Sequence, residues 1–154
     1  MFDAIIESPI GKLGITLAKG RLSRISFLPF NTDTKNSSLS VIQSIHQELE
    51  QFFRNPQHQF NLDYQLMGTD FQRRVWDALT KIHCGDTVSY KWLAATLQTS
   101  PRAIGNACRA NPIPLIIPCH RVVALNHIGG FAGQTQGELL DIKKWLLAHE
   151  KRHA

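Results

Sequence analysis

Three of the chain's seven prolines, Pro112, Pro114 and Pro118, fall within the seven-residue span before Cys119. Each one fixes φ and removes a backbone donor, so this span forms neither a helix nor an interior strand. Leu115, Ile116 and Ile117 are nonetheless apolar and must be buried. A rigid, buried, irregular segment therefore delivers Cys119-His120-Arg121-Val122-Val123 to a defined place. A thiol acts as a nucleophile once it is deprotonated, and a nearby imidazole or cation favours that state. His120 and Arg121 supply one of each. Neighbours in an extended chain point to opposite faces, so a bridging water between Cys119 and His120 is the expected link. For a Cys-His pair standing alone, a structural cysteine would be the more ordinary explanation.

The residues before this segment read as helices. Thr69-Asp70-Phe71-Gln72 fits a capping box, followed by Phe71, Val75, Ala78, Leu79 and Ile82 on one face, until Gly85 interrupts. Ser89 caps a short helix bearing Leu93, Ala94 and Leu97. After a brief turn, Ser100 as N-cap and Pro101 at the first helical position open a third helix, running to about Ala110 and ending at Asn111-Pro112. Two short helices joined by a tight turn predict a helix-turn-helix. In the third helix Ile104, Ala107 and Cys108 face inward. Arg102, Asn106 and Arg109 share another side, and Ala103, Gly105, Ala107 and Ala110 are small. That combination suits a helix approaching a nucleic-acid groove closely, although a tight helix–helix contact would use the same residues.

The N-terminal part has a different texture. Phe2, Ala4 and Ile6 alternate with polar neighbours, Ser8-Pro9-Ile10-Gly11 supplies a turn, and Leu13, Ile15 and Leu17 resume the alternation. A third strand is predicted from Leu22 to Phe30, after Lys19-Gly20. Ile42, Ile45, Leu49 and Phe52 predict a helix from about Leu39 to Arg54. No catalytic constellation occurs here. The expected fold class is α+β: a small sheet-and-helix scaffold domain over residues 1–66, then a mainly helical domain over residues 67–154 holding the helix-turn-helix and Cys119.

Charge follows the same division. Residues 1–67 carry six Lys/Arg and six Asp/Glu, whereas residues 68–154 carry eleven and six. No acid occurs from Thr87 through Gly137, while Lys91, Arg102, Arg109 and Arg121 do. An uninterrupted positive potential suits a polyanion such as DNA, and equally an ordinary basic surface. The cysteines Cys84, Cys108 and Cys119 are odd in number and form no CxxC pair, which points to free thiols in a reducing compartment rather than to disulfides or zinc. The N-terminus has no basic region leading into a long apolar run, and no stretch approaches the roughly 20 apolar residues of a membrane helix. The expectation is a soluble, cytoplasmic protein.

Pro118-Cys119-His120-Arg121-Val122 resembles the active-site signature of the O6-alkylguanine-DNA alkyltransferase family. The similarity continues in order through residues 69–76, 85–90, 102–105, Asn111-Pro112, 130–133 and 143–150, and so covers essentially residues 68–150. The resemblance implies that Cys119 is the alkyl acceptor, His120 its base through a water, and Glu150 the group orienting that histidine. It further implies that Asn111 is a hinge beside the active-site turn. Tyr90 would rotate and hold the base and donate a proton, and Arg102 would replace an extruded nucleotide in the stack. Ala103, Asn106, Arg109 and Arg121 would face DNA together with Arg102 and Tyr90, while Pro114, Val122, Phe131 and Ala132 would line the base pocket. The implied partner is double-stranded DNA carrying O6-alkylguanine, met by a monomer, with no cofactor, no metal and no membrane. The chain departs from the family in a shorter turn before Arg102 and in Ala132, where serine is common. Two other classes stay open at this level: a non-catalytic lesion-binding relative, and a cysteine hydrolase using Cys119, His120 and Glu150.

Overall fold

The computed structural model describes residues 1–125, 128–131 and 137–153. The chain forms two compact units, Met1–Met67 and Gly68–Ala154.

In the first unit, β1 (Ala4–Ser8), β2 (Gly11–Ala18) and β3 (Arg21–Leu28) make an antiparallel sheet in that order. Both hairpins are set by turn chemistry. The Ser8 hydroxyl donates to Gly11 O at 2.6 Å and accepts from Ile10 N–H at 3.2 Å. Gly11 sits at φ +119, where a side chain would also meet Leu28 O. The second turn places Lys19 and Gly20 at φ 53 and 74, two positive values that match the twist of the flanking strands. Alternation puts Ala4, Ile6, Leu13 and Ile15 in the core, and a bulge in β3 opposite Thr16/Leu17 lets Leu22 and Ile25, three residues apart, join them. They are joined there by Ile42, Ile45, Leu49 and Phe52 of α1 (Ser40–Arg54).

The second unit is mainly helical. It comprises α2 (Asp70–Thr80), β4 (Val88–Ser89), α3 (Tyr90–Thr96), α4 (Pro101–Arg109), a 3-10 turn (Cys119–Arg121), β5 (Val122–Val123) and α5 (Glu138–Arg152). The capping box of α2 forms as the sequence predicts. Thr69 Oγ1 accepts from Gln72 N–H at 3.0 Å, and Gln72 Oε1 accepts from Thr69 N–H at 3.0 Å. Ser89 and Ser100 cap α3 and α4 by accepting from Trp92 N–H and Ala103 N–H, and α3 packs on α4 as the helix-turn-helix pattern requires. Trp76, fully buried on α2, donates its indole N–H to Ala107 O of α4 at 2.8 Å, which fixes α4 from behind. The α+β expectation is met. No helix among the described residues is long and apolar enough to cross a membrane.

The two-residue ladder between β4 and β5 is absent from the sequence expectations. Val88 pairs with Val122 and Ser89 with Val123, in parallel. Tyr90 follows β4 directly and the Cys119 turn precedes β5 directly, so this short pairing brings together two segments about thirty residues apart.

Candidate active site

The segment from Asn111 to Pro118 folds back on itself. Asn111 Oδ1 accepts from Ile113 N–H at 3.1 Å, and its amide donates to Ile117 O at 2.8 Å. Ile117 N–H reaches Ile113 O at 3.0 Å. Within this loop Leu115 takes φ 77, a left-handed conformation that costs a leucine on the order of 1–3 kcal/mol and persists only where the surroundings enforce it. Prolines remove donors that the loop could not satisfy, and one asparagine side chain does the work of a hydrogen-bond ladder.

The loop ends in the 3-10 turn, where Arg121 N–H donates to Pro118 O at 3.1 Å. The sequence expectation of an extended chain with Cys119 and His120 on opposite faces is therefore not met. The prolines exhaust the extended segment at Pro118, and the chain turns at the reactive residue itself.

His120, Arg121 and Glu150 form one buried network. His120 Nε2 lies 2.6 Å from Glu150 Oε2. Arg121 donates from Nε to Glu150 Oε1 at 2.9 Å, from Nη2 to Glu150 Oε2 at 3.0 Å and from Nη1 to Ile82 O at 2.5 Å. This corrects the placement of Arg121 among the DNA-facing cations. Its guanidinium is spent inside the unit, because a buried carboxylate next to a histidine needs a permanent counter-charge. Burial alone would raise the Glu150 pKa. The hydrogen bonds and charges of His120 and Arg121 outweigh it and hold the carboxyl at about 2. Burial lowers the His120 pKa against the opposing pull of Glu150, so the imidazole is neutral at pH 7 and Arg121 is the lasting partner of the carboxylate. An ionised carboxylate only accepts, so the proton sits on Nε2 and Nδ1 is left as an acceptor. Among the described residues, His120 Nδ1 is the sole buried side-chain nitrogen or oxygen without a hydrogen-bond partner.

Cys119 is 6% exposed. Burial pushes its thiol pKa up and outweighs the Asn111 side-chain hydrogen bond, the Lys143 charge and a backbone hydrogen bond, which pull it down, so the resting thiol is protonated. Lys143 is a component the sequence analysis does not single out. It is fully buried and donates to Val122 O at 2.7 Å and Gly130 O at 2.8 Å, with its nitrogen 5.7 Å from the centre of the Tyr90 ring. Burial lowers its pKa to about 8, against the pull of Cys119 and Cys108. A signal existed: Leu139, Lys143, Leu146 and Glu150 recur at spacings of four, three and four, which places both charged residues on one helix face with the two leucines.

Tyr90 is half-buried, and its hydroxyl lies 3.5 Å from Gly130 O. A side chain at Gly129, φ +75, would press on the Tyr90 ring at 2.9 Å, so glycine there lets the backbone lie against the phenol. Burial pushes the Tyr90 pKa up, assisted by Cys108 and Cys119. Val122, Phe131 and Pro114 are all buried. Val122 and the residue before Phe131 are tied together by Lys143, whereas Pro114 lies in the Asn111-clamped loop. Ala132 lies outside the described residues.

On α4 the expected faces separate. Ile104 and Ala107 are buried, Cys108 and Ala103 half-buried, and Arg102, Asn106 and Arg109 exposed on one side. A side chain at Gly105 would meet nothing within 4 Å, so no packing inside the fold requires glycine there. Among the described residues, no three His, Cys, Asp or Glu side chains come together as a metal site would require.

Comparison with known proteins gives a consistent result. The family model described as "6-O-methylguanine DNA methyltransferase, DNA binding domain" matches residues 70–152. The chain is 36% identical over 152 residues to a probable methylated-DNA–protein-cysteine methyltransferase of Acanthamoeba polyphaga mimivirus, spanning 97% of this chain and 96% of that one. The crystal structure of Mycobacterium tuberculosis O6-methylguanine methyltransferase superposes with a TM-score of 0.81 at 31% identity, covering 97% of this chain and 92% of that one. A crystal structure of Mycobacterium tuberculosis OGT in complex with DNA gives 0.80 at 32% identity over the same shares.

Proposed function

The chain belongs to the 6-O-methylguanine DNA methyltransferase family, and from that premise we propose that it repairs DNA by accepting the alkyl group of O6-alkylguanine onto its own Cys119. The observation that carries this reading is the bare Nδ1 of His120. Its other nitrogen is held by Glu150, and the residue preceding it is a buried cysteine. A neutral imidazole with one free acceptor is the base such a thiol needs, with a water to span the gap.

In this mechanism His120 takes the thiol proton through that water as sulfur attacks. The sulfur–carbon bond forms while the O6–carbon bond breaks, and guanine leaves as its O6 anion. Tyr90, whose phenol burial keeps protonated, supplies a proton to the departing base. Asn111 and Lys143 stabilise the developing thiolate. Glu150 fixes the tautomer of His120, and Arg121 fixes Glu150. The product is a thioether, so each molecule acts once and needs no cofactor.

DNA is the partner that α4 fits. Arg102, Asn106 and Arg109 face solvent beside the open position at Gly105, so the backbone of α4 can come close to a groove. The alkylated guanine must leave the stack to reach a cysteine this buried, and Arg102 fills the vacated place. Pro114, Val122 and Phe131 line the pocket that receives it, and the protein acts as a monomer in the cytoplasm. The test is intact mass after incubation with O6-methylguanine duplex. The expected result is a gain of about 14 Da, absent in Cys119→Ala, with the duplex restored to guanine. An unchanged mass with unrepaired DNA overturns the reading.

A further inference from the structure

Cys108 has no place in the mechanism above, yet it belongs to the same cluster. Its carbonyl accepts the Asn111 backbone N–H at 3.2 Å, and the Asn111 side-chain amide donates to Ile117 O at 2.8 Å, two residues before Cys119. Cys119 N–H in turn donates to Ile117 O at 2.8 Å. One asparagine thus ties the last turn of α4 to the reactive turn, with a thiol on each side of it. Cys108 is half-buried, on the border between the inward face of α4 and the open strip at Gly105. Burial first, and then the charge of Cys119, keep the Cys108 thiol protonated, while the Lys143 charge acts on both thiols. The remaining cysteine, Cys84, has a different set of neighbours, namely Glu150, Arg121 and Asp86.

A cysteine activated for alkyl transfer is also activated toward peroxides, since both reactions use the thiolate as nucleophile. We propose that Cys108 is the resolving thiol of Cys119, so that oxidation by a hydroperoxide closes a reversible Cys108–Cys119 disulfide and suspends alkyl acceptance. In the first step the Cys119 thiolate attacks the peroxide oxygen, the O–O bond breaks, and Cys119 becomes a sulfenic acid as the alcohol or water leaves. In the second step the Cys108 sulfur displaces the sulfenic oxygen, which departs as water with the Cys108 proton. The net change is two thiols oxidised and one peroxide reduced. Asn111 supports both stages by holding α4 against the turn while stabilising the Cys119 thiolate. The disulfide spares Cys119 from sulfinic acid, the oxidation product that thiols do not reverse.

The effect on repair rests on Cys119 being the alkyl acceptor, whereas the cross-link itself does not. The full chain is treated with a several-fold molar excess of hydrogen peroxide, enough for the two equivalents that a sulfinic acid consumes, then analysed by intact mass and non-reducing peptide mapping. Each protein's alkyl uptake is compared with its own untreated sample, before and after dithiothreitol. Wild type and Cys84→Ser are expected to lose about 2 Da, show a peptide joining Cys108 to Cys119, and recover uptake with dithiothreitol. Cys108→Ser and Cys108→Ala are expected to gain about 32 Da at Cys119 instead, with uptake lost beyond recovery. A wild-type chain that over-oxidises at Cys119 like the variants, or that links Cys84 instead, overturns the proposal. Untreated protein that takes up no alkyl group refutes the repair reading and leaves the peptide map to decide the cross-link.

Discussion

Replacing Glu150 with glutamine removes one charge from a site where three hydrogen bonds converge on the carboxylate. Its pKa moves from 4.5 to about 2, and at 1.36 kcal/mol per unit that corresponds to about 3 kcal/mol in favour of the ionised form. A second route gives a similar size. Arg121 remains buried without its counter-ion, and breaking a buried pair costs about 3–5 kcal/mol. For a chain of this length, 1 kcal/mol moves Tm by about 2–4 °C, so Glu150→Gln is expected to melt about 10 °C lower at pH 7. Because the native pKa lies below the unfolded one, this contribution is complete above about pH 4.5 and is lost as pH falls toward 2. The gap between variant and wild type therefore closes across that window. Thermal unfolding followed by circular dichroism at several pH values reads both effects, and single-turnover alkyl transfer at pH 7 reads the loss of His120 orientation. A drop under about 2 °C at pH 7, or a gap that persists undiminished in acid, would refute the reasoning.

Two arginines should behave oppositely. Arg102→Ala is expected to weaken DNA binding and lower its salt slope by about 1, leaving stability within about 0.5 kcal/mol, whereas Arg121→Ala costs about 3–5 kcal/mol of stability; DNA titrations over a salt series and denaturant melts separate them. The alkyl-transfer rate should fall on the acid side below pH 6.5, where His120 takes up its proton, and again above about 8, where Lys143 loses the charge supporting Cys119 and its grip on Gly130. A stopped-flow rate profile flat from mildly acidic to alkaline pH contradicts this. Thr69→Ala opens the capping box of α2 and is expected to cost about 1 kcal/mol in chemical denaturation, with no change in the pH profile of alkyl transfer.

Local elements were legible because local rules govern them. The strands between residues 4 and 28, α1 and the capped starts of α2, α3 and α4 follow from alternation, helical spacing and three hydroxyl caps within a few residues of the backbone they satisfy. The sequence also isolated Cys119, since prolines and aliphatics around a Cys-His pair mark a buried irregular segment. Arg121 was misplaced for a physical reason: its neighbours in sequence say nothing of a carboxylate twenty-nine residues away.

What the chain determined alone is which residues are helical, which are strand, and where a rigid thiol-bearing loop must interrupt them. Tertiary structure decided which charges face water and which face each other. Lys143 and Arg121 resemble surface cations in a string of letters, and only packing supplies the carbonyls and the carboxylate that make their burial tolerable. The two-residue pairing of Val88-Ser89 with Val122-Val123 is likewise too short to carry a pattern, yet it sets Tyr90 beside the cysteine turn. Caps and periodicities act over a few residues, whereas desolvation and charge pairing depend on whatever the fold brings into contact.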